Sequence, residues 1–293
     1  MSDIKLETVY LKKDKAPPAD YHCHCKYCMK SLGELIRKDG IYYNKNERKK
    51  YYSKEELSNA KVGEKGGHVA KTPLHIARWA VQSYSEPGDW VLDPTMGAGT
   101  TAVEALNHGR NAAGMEIEFI DVIQANIAAN NNRHCKFKIW HGDARAIGSV
   151  LEKARLKFQL IVNNPPYFAD QSQKGKGVHE GFDYQKDLPN LAFLKEGPEY
   201  FATMGKIYAD SVAHLNVGGH LVIGIKDGMK NKKPDQLHEK VADCITKYVP
   251  GMKFVGTAFL KHYPTTLFLN TYFKQFGIHP PYYQTIMIWK KVK

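Results

Sequence analysis

The segment Asn163-Asn164-Pro165-Pro166-Tyr167-Phe168 follows directly on the apolar run Leu160-Ile161-Val162. Proline has a fixed φ and no amide proton, so it cannot continue a central strand. What results is a rigid corner at a strand end, carrying side-chain amides and tipped by aromatics. Alone, such a corner either stops further pairing or holds a ligand. Upstream, Asp93-Pro94-Thr95-Met96-Gly97-Ala98-Gly99-Thr100-Thr101 closes another apolar run, WVLD. Its small residues let the backbone pass close to a ligand as it turns into a helix. No Gly-Lys-Ser/Thr follows and the GxGxxG spacing is missing, so neither a phosphate loop nor the dinucleotide fingerprint is present. Glu116, in GMEI, stands about twenty residues beyond the turn, where an acid can accept from both ribose hydroxyls of a nucleoside. Asp143, in HGDAR, is placed either to accept from an adenine amino group or to cap a helix. Taken together, the turn and the two acids describe a pocket for an adenosine-bearing cofactor.

Such residues converge only if regular elements carry them to one edge. From Thr72 onward, strand and helix patterns alternate. Helices are expected over 74–84, 99–109, 119–131, 146–154, 199–215 and 236–249. Strands are expected over 90–93, 112–117, 136–140, 160–163, 220–225, 253–260 and 284–291. The NVGG segment at 216–219 reads as a helix stop. This alternation predicts a mostly parallel sheet covered on both faces, with ligands beyond the carboxyl ends of its strands.

The chain has 293 residues, a net charge of +12, and 43% hydrophobic residues. Residues 1–75 hold 16 Lys/Arg against 10 Asp/Glu, the charge balance of a polyanion partner or of a solubilising surface. There is no membrane-length apolar run and no apolar signal region at the start, which predicts a soluble, cytoplasmic protein. Of the five cysteines, Cys23, Cys25 and Cys28 crowd together while Cys135 and Cys244 stand apart, an arrangement unlike a disulfide framework. Cys25 and Cys28, with Cys23 or His22, read either as one zinc knuckle or as reduced, metal-free cysteines, since a complete four-ligand site needs a second pair downstream and none appears. We divide the chain into a small basic segment, 1–70, and a second domain, 71–293. Within the latter, the polar stretch 169–197 reads as a substrate-side loop carrying Lys174, Lys176 and Lys186. NERKKYYSK at 46–54 mixes base-stacking and phosphate-binding residue types, or is a solvated face.

DPTMGAGTT, GME, GD and NPPY, in that order on successive strands, resemble the S-adenosylmethionine-dependent DNA amino-methyltransferases, the N6-adenine/N4-cytosine methylase family. KTPLHIARW at 71–79 and the stretch 204–228 are similar to further parts of that family. The resemblance spans roughly 68–293. It implies a Rossmann-like class I fold, α/β, with a seven-stranded mostly parallel sheet and helices on both faces. It also implies cofactor contacts from Lys71, Thr72, Asp93, Pro94, Thr95, Gly97, Gly99, Thr100, Thr101, Glu116, Asp143 and Asn164. Catalysis would fall to Asn164, Pro165, Pro166 and Tyr167. The Asn164 side-chain oxygen and the Pro165 carbonyl would accept the two hydrogens of a target amino group, while Tyr167 stacks on the flipped base.

The expected activity is methylation of double-stranded DNA, with adenine N6 ahead of cytosine N4. RNA guanine-N2 methylation, protein glutamine methylation and a silent nucleic-acid-binding subunit are the rivals. The glycine turn precedes the corner, unlike the family's commonest arrangement. The sequence shows no large target-recognition domain, and a restriction enzyme partner stays open.

Overall fold

The computed structural model describes residues 72, 74–130, 134–166, 191, 194, 196–230, 233–261 and 283–293. Along the chain run α1 (Leu74–Tyr84), β1 (Trp90–Asp93), α2 (Thr100–Asn107), β2 (Asn111–Glu116), α3 (Ile120–Asn130) and β3 (Phe137–His141). A 3-10 turn at Ala144–Ala146 leads into α4 (Ile147–Ala154), followed by β4 (Phe158–Asn163), α5 (Pro198–Ala213) and β5 (Leu215–Lys226). The two-residue strands β6 (Met229–Lys230) and β7 (Lys233–Pro234) pair with each other, and α6 (Leu237–Tyr248), β8 (Met252–Lys261) and β9 (Tyr283–Lys291) complete the described elements.

Seven strands form one sheet in the order β3-β2-β1-β4-β5-β9-β8. β1 to β5 pair in parallel, and β9 runs antiparallel between β5 and β8. Period-two alternation assigns the side chains of β4 to opposite faces. Ile161 joins Tyr200, Tyr208, Ile147 and Ile245 in one core, while Leu160 and Val162 join Ile76, Leu106 and Ile123 in the other. Both faces are therefore covered, which is why the strands read as apolar runs. The strand order reverses between β1 and β4, so a crevice opens beyond their carboxyl ends.

One expectation is corrected. NVGG does not stop α5: the helix ends at Ala213, where the His214 amide donates to the Ser211 carbonyl at 3.1 Å. Residues 216–219 already belong to β5, which starts at Leu215. Gly218, at φ +84°, lies where the pairing with β4 shifts register, so its glycine serves a strand irregularity. No helix among the described residues is long and apolar enough to cross a membrane.

Candidate active site at the carboxyl edge

β1 delivers Asp93 to the crevice with its side chain 3% exposed. Its Oδ1 accepts from the Thr95 amide at 3.2 Å. Burial pushes its carboxyl up to about 7, against the opposing effect of these hydrogen bonds. The chain then turns through Gly97 (φ +55°) and Gly99 (φ +80°), and Gly99 begins α2. Ile123 packs close enough to Gly99 that an added methyl would press on it, at 3.1 Å. The buried Asn126 side chain, from α3, donates to the Ala98 carbonyl at 2.8 Å and fixes the outer side of the turn.

β2 ends on Glu116, which is 8% exposed. Its Oε2 accepts from the Gly97 amide at 2.7 Å, and its Oε1 accepts from the Glu118 amide at 3.0 Å. Burial raises its pKa above the usual carboxylate range. The acid and the glycine turn thus form one wall. Gly114 makes this possible: a methyl there would collide with the Asp93 carbonyl and the Met96 side chain. At the end of β3, Asp143 caps the 3-10 turn. Its Oδ1 accepts from the Arg145 amide at 2.9 Å, and its Oδ2 accepts from Arg145 Nε at 2.8 Å. Of the two readings of Asp143, capping is the geometry present.

The corner after β4 is held from three directions. Asn163, fully buried, donates from Nδ2 to Asp93 Oδ1 at 2.9 Å and to Thr95 Oγ1 at 2.7 Å. The Tyr208 hydroxyl, on α5, donates to Asn163 Oδ1 at 2.8 Å. Two turns earlier on the same helix, the Tyr200 hydroxyl donates to the Pro166 carbonyl at 2.9 Å. The Asn164 amide is oriented by its neighbours. Assigned so that donors meet acceptors, its nitrogen faces the carbonyls of Gly224 at 3.2 Å and Asn163 at 3.3 Å, and its oxygen accepts from Gln284 Nε2 at 2.9 Å.

Asp93, Pro94, Thr95, Gly97, Gly99, Glu116, Asp143, Asn164, Pro165 and Pro166 fall at the carboxyl ends of β1 to β4 or in the turns directly beyond them, and Thr100 and Thr101 open α2 next to the glycine turn. Thr72 lies two residues ahead of α1, whereas Lys71, Tyr167, the loop 169–197 apart from residues 191, 194, 196 and 197, and the ligand set His22, Cys23, Cys25 and Cys28 lie outside the described residues. Among the described residues no group of three or more His, Cys, Asp or Glu could hold a metal. Sequence reasoning missed Asn163, Tyr200, Tyr208, Gly224 and Gln284. Faint signals existed: an amide closing a fully buried strand, a glycine inside the apolar run HLVIGI, and a glutamine opening QTIMIWKK.

The strand order with its single antiparallel strand, the glycine turn after β1 and the acid ending β2 define a class I methyltransferase fold. The family model described as DNA methylase matches residues 8–124, which include the turn and Glu116 and end ahead of the NNPPY corner. Over these residues the chain is similar to the amino-methyltransferase family of DNA methylases. The match begins well inside the segment 1–70 and so crosses the boundary drawn at 70/71. The Type II methyltransferase M.MthZI of Methanothermobacter thermautotrophicus is 33% identical over 100 residues, 31% of this chain and 28% of that protein. The Type II methyltransferase M.BglI of Bacillus subtilis is 47% identical over 51 residues, 17% of this chain and 15% of that one. This chain therefore spans less than a third of the length of these curated relatives. A methyltransferase structure from Pyrococcus furiosus has 15% identity and a TM-score of 0.45, covering 85% of this chain and 99% of that one.

Proposed function

We propose that the protein transfers a methyl group from S-adenosylmethionine to the exocyclic amino group of a flipped base in double-stranded DNA, with adenine N6 as the target. The observation that carries this reading is Asn163. Its amide bonds both Asp93 and Thr95, so the corner that would hold the target is fixed against the turn that would hold the cofactor. The donor set fits that cofactor. Asp93 and Glu116 are buried carboxyl acceptors whose ionised form burial disfavours until a donor or a cation meets it. Hydroxyl and ammonium donors, which S-adenosylmethionine carries on its ribose and its methionine end, suit such acceptors. Asp93, Pro94, Thr95, Gly97, Gly99, Thr100, Thr101 and Glu116 would hold it, with Lys71, Thr72, Asp143 and Asn164 completing the set.

When bound, the cofactor supplies an electrophilic methyl group on a sulfonium. The chain's own contribution is orientation. Conjugation with the ring makes an exocyclic amine a poor nucleophile. If Asn164 Oδ1 and the Pro165 carbonyl each accept one of its hydrogens, the lone pair is freed for in-line attack. Rigid placement of this kind supplies a large part of the rate of such displacements. Tyr200 grips the Pro166 carbonyl and so restrains the prolines from below. Tyr167 would stack on the base, the loop 169–197 would meet DNA through Lys174 and Lys176, and Cys25 and Cys28 would hold zinc with Cys23 or His22.

The test is nucleoside analysis of DNA incubated with the protein and labelled cofactor, with tRNA and protein substrates in parallel. N6-methyladenine is the expected product. N4-methylcytosine would replace the base assignment and leave the corner's role standing. Label only in tRNA or protein would overturn the DNA reading, and cofactor binding without transfer to any of them would point to a silent subunit. Zinc is checked by metal analysis of the purified protein, with about one equivalent expected.

A further inference from the structure

An acceptor amide works only one way round. The oxygen and nitrogen of Asn164 are nearly the same size, and turning the amide over would present a donor to an amine that is itself a donor. Something must therefore choose the orientation, and three groups surround this amide. In the one orientation that pairs donors with acceptors, the carbonyls of Gly224 and Asn163 take the nitrogen, and the Nε2 of Gln284 takes the oxygen. Of the three, Gln284 is the one whose chemistry a side-chain substitution can invert.

Gln284 is 4% exposed and sits at the start of β9, paired with Lys226 of β5 and Leu260 of β8. Because β9 runs antiparallel, its beginning lies at the carboxyl edge, beside the corner. Gly224 leaves the space between them open, since a methyl there would collide with the Asn164 amide. A carbonyl-type oxygen carries two lone pairs, so Asn164 Oδ1 can accept from Gln284 and still accept a second hydrogen.

We infer that Gln284 is a positioning residue: it holds the Asn164 amide with its oxygen as the acceptor for the target amine. This rests on the function proposed above. Gln284 acts through its contact with Asn164, so its loss should act mainly on the transfer step and much less on cofactor affinity.

Two variants test the assignment. Gln284→Glu keeps the shape but, at a pH high enough to ionise its buried carboxyl, offers no donor, so its carboxylate faces the Asn164 oxygen and favours the turned-over amide. Gln284→Leu removes the donor without adding repulsion. Single-turnover transfer to DNA should fall tenfold or more in Gln284→Glu and by less in Gln284→Leu. Cofactor dissociation constants should stay close to wild type in both, while each melting temperature falls modestly because a buried polar contact is disturbed. Transfer within about twofold of wild type in Gln284→Glu would overturn the inference. So would a loss that merely tracks weaker cofactor binding, or one no larger in Gln284→Glu than in Gln284→Leu at the same fall in melting temperature, which would mark a structural role. The Asn164 side-chain amide resonance, identified by its disappearance in Asn164→Ala, gives a readout that needs no activity. It should move or double in Gln284→Glu, and an unmoved single resonance would overturn the contact. Should wild type bind cofactor yet transfer to no substrate, the proposed function falls, and the resonance alone decides whether Gln284 orients Asn164.

Discussion

At one end of the carboxyl edge, Glu116 accepts from Gly97, 19 residues away, through a backbone amide. At the other end, Asn163 meets Asp93 across 70 residues and Tyr208 across 45, and Asn164 meets Gln284 near the end of the chain, all through side chains. The cofactor end is therefore assembled from one contiguous βαβ stretch whose glycines and backbone amides already do the positioning. The corner's intrinsic rigidity comes from its prolines, but its aim comes from α5, β5 and β9. Short-range order can form with little loop closure, whereas the corner's contacts require the completed sheet. The first end should tolerate distant perturbation and the second should not.

The largest effect expected from breaking this pattern is at Asp93. Its carboxyl is raised from 3.8 to about 7, so the folded state binds a proton that the unfolded state has released. Its stabilising contribution is complete below about pH 4 and lost as pH rises through about 7, a swing on the order of 4 kcal/mol. Denaturant unfolding at several pH values should show wild type losing stability across that window relative to Asp93→Asn. Parallel lines for the two proteins would count against a protonated Asp93. Glu116, also raised by burial, adds a slope of the same sign that both proteins share.

Next in size, Asn164→Ala should reduce transfer by roughly 10²–10³-fold, the usual effect of removing one preorganised polar group at a reacting centre. Equilibrium binding of the cofactor should weaken only slightly, because Asn164 supplies one contact while the β1–β2 wall, which supplies most of them, is untouched. A parallel loss of cofactor affinity would blur the separation of the two ends. Paired glycine substitutions sharpen it. Gly114→Ala forces a methyl onto the Asp93 carbonyl and Met96, and Gly224→Ala forces one onto the Asn164 amide. Overpacking at Gly114 should cost about 1–3 kcal/mol in unfolding free energy and weaken cofactor binding. Gly224→Ala should chiefly lower the transfer rate. Calorimetric melting with cofactor titration, beside single-turnover kinetics, separates the two patterns.

Smaller again is Tyr208→Phe. It strips the donor from a fully buried Asn163 oxygen, and an unsatisfied buried acceptor costs about 1–3 kcal/mol. Tyr200→Phe, by the same measure, releases a backbone carbonyl in a partly buried place and should cost nearer 1 kcal/mol. Urea titration of the two variants ranks them, and equal losses would contradict the difference in burial at the two acceptors.

Much of this architecture is legible in the sequence. Leu160-Ile161-Val162 reads as a strand buried on both sides because nothing in it is polar, and it is. The spacing from the glycine turn to Glu116 foretold their contact, since one strand-helix-strand unit has little freedom in where its ends meet. NVGG misled because glycine serves both helix stops and strand irregularities, and only pairing with β4 decides between them. Asp143 was ambiguous for a similar reason: capping and ligand binding ask for the same residue at the same place. Tyr200 and Tyr208 look like ordinary core aromatics in the sequence, because the hydroxyl's partner lies on another element.

By itself, the sequence determined the alternating sheet, the glycine turn with its acid, and a rigid amide-bearing corner, because periodicity, proline and glycine act on neighbouring residues. Only the tertiary structure decided what the corner is fastened to and which way the Asn164 amide turns. Those choices are made by hydrogen bonds between residues brought together by strand order, and strand order is a property of the whole chain's burial and not of any one segment.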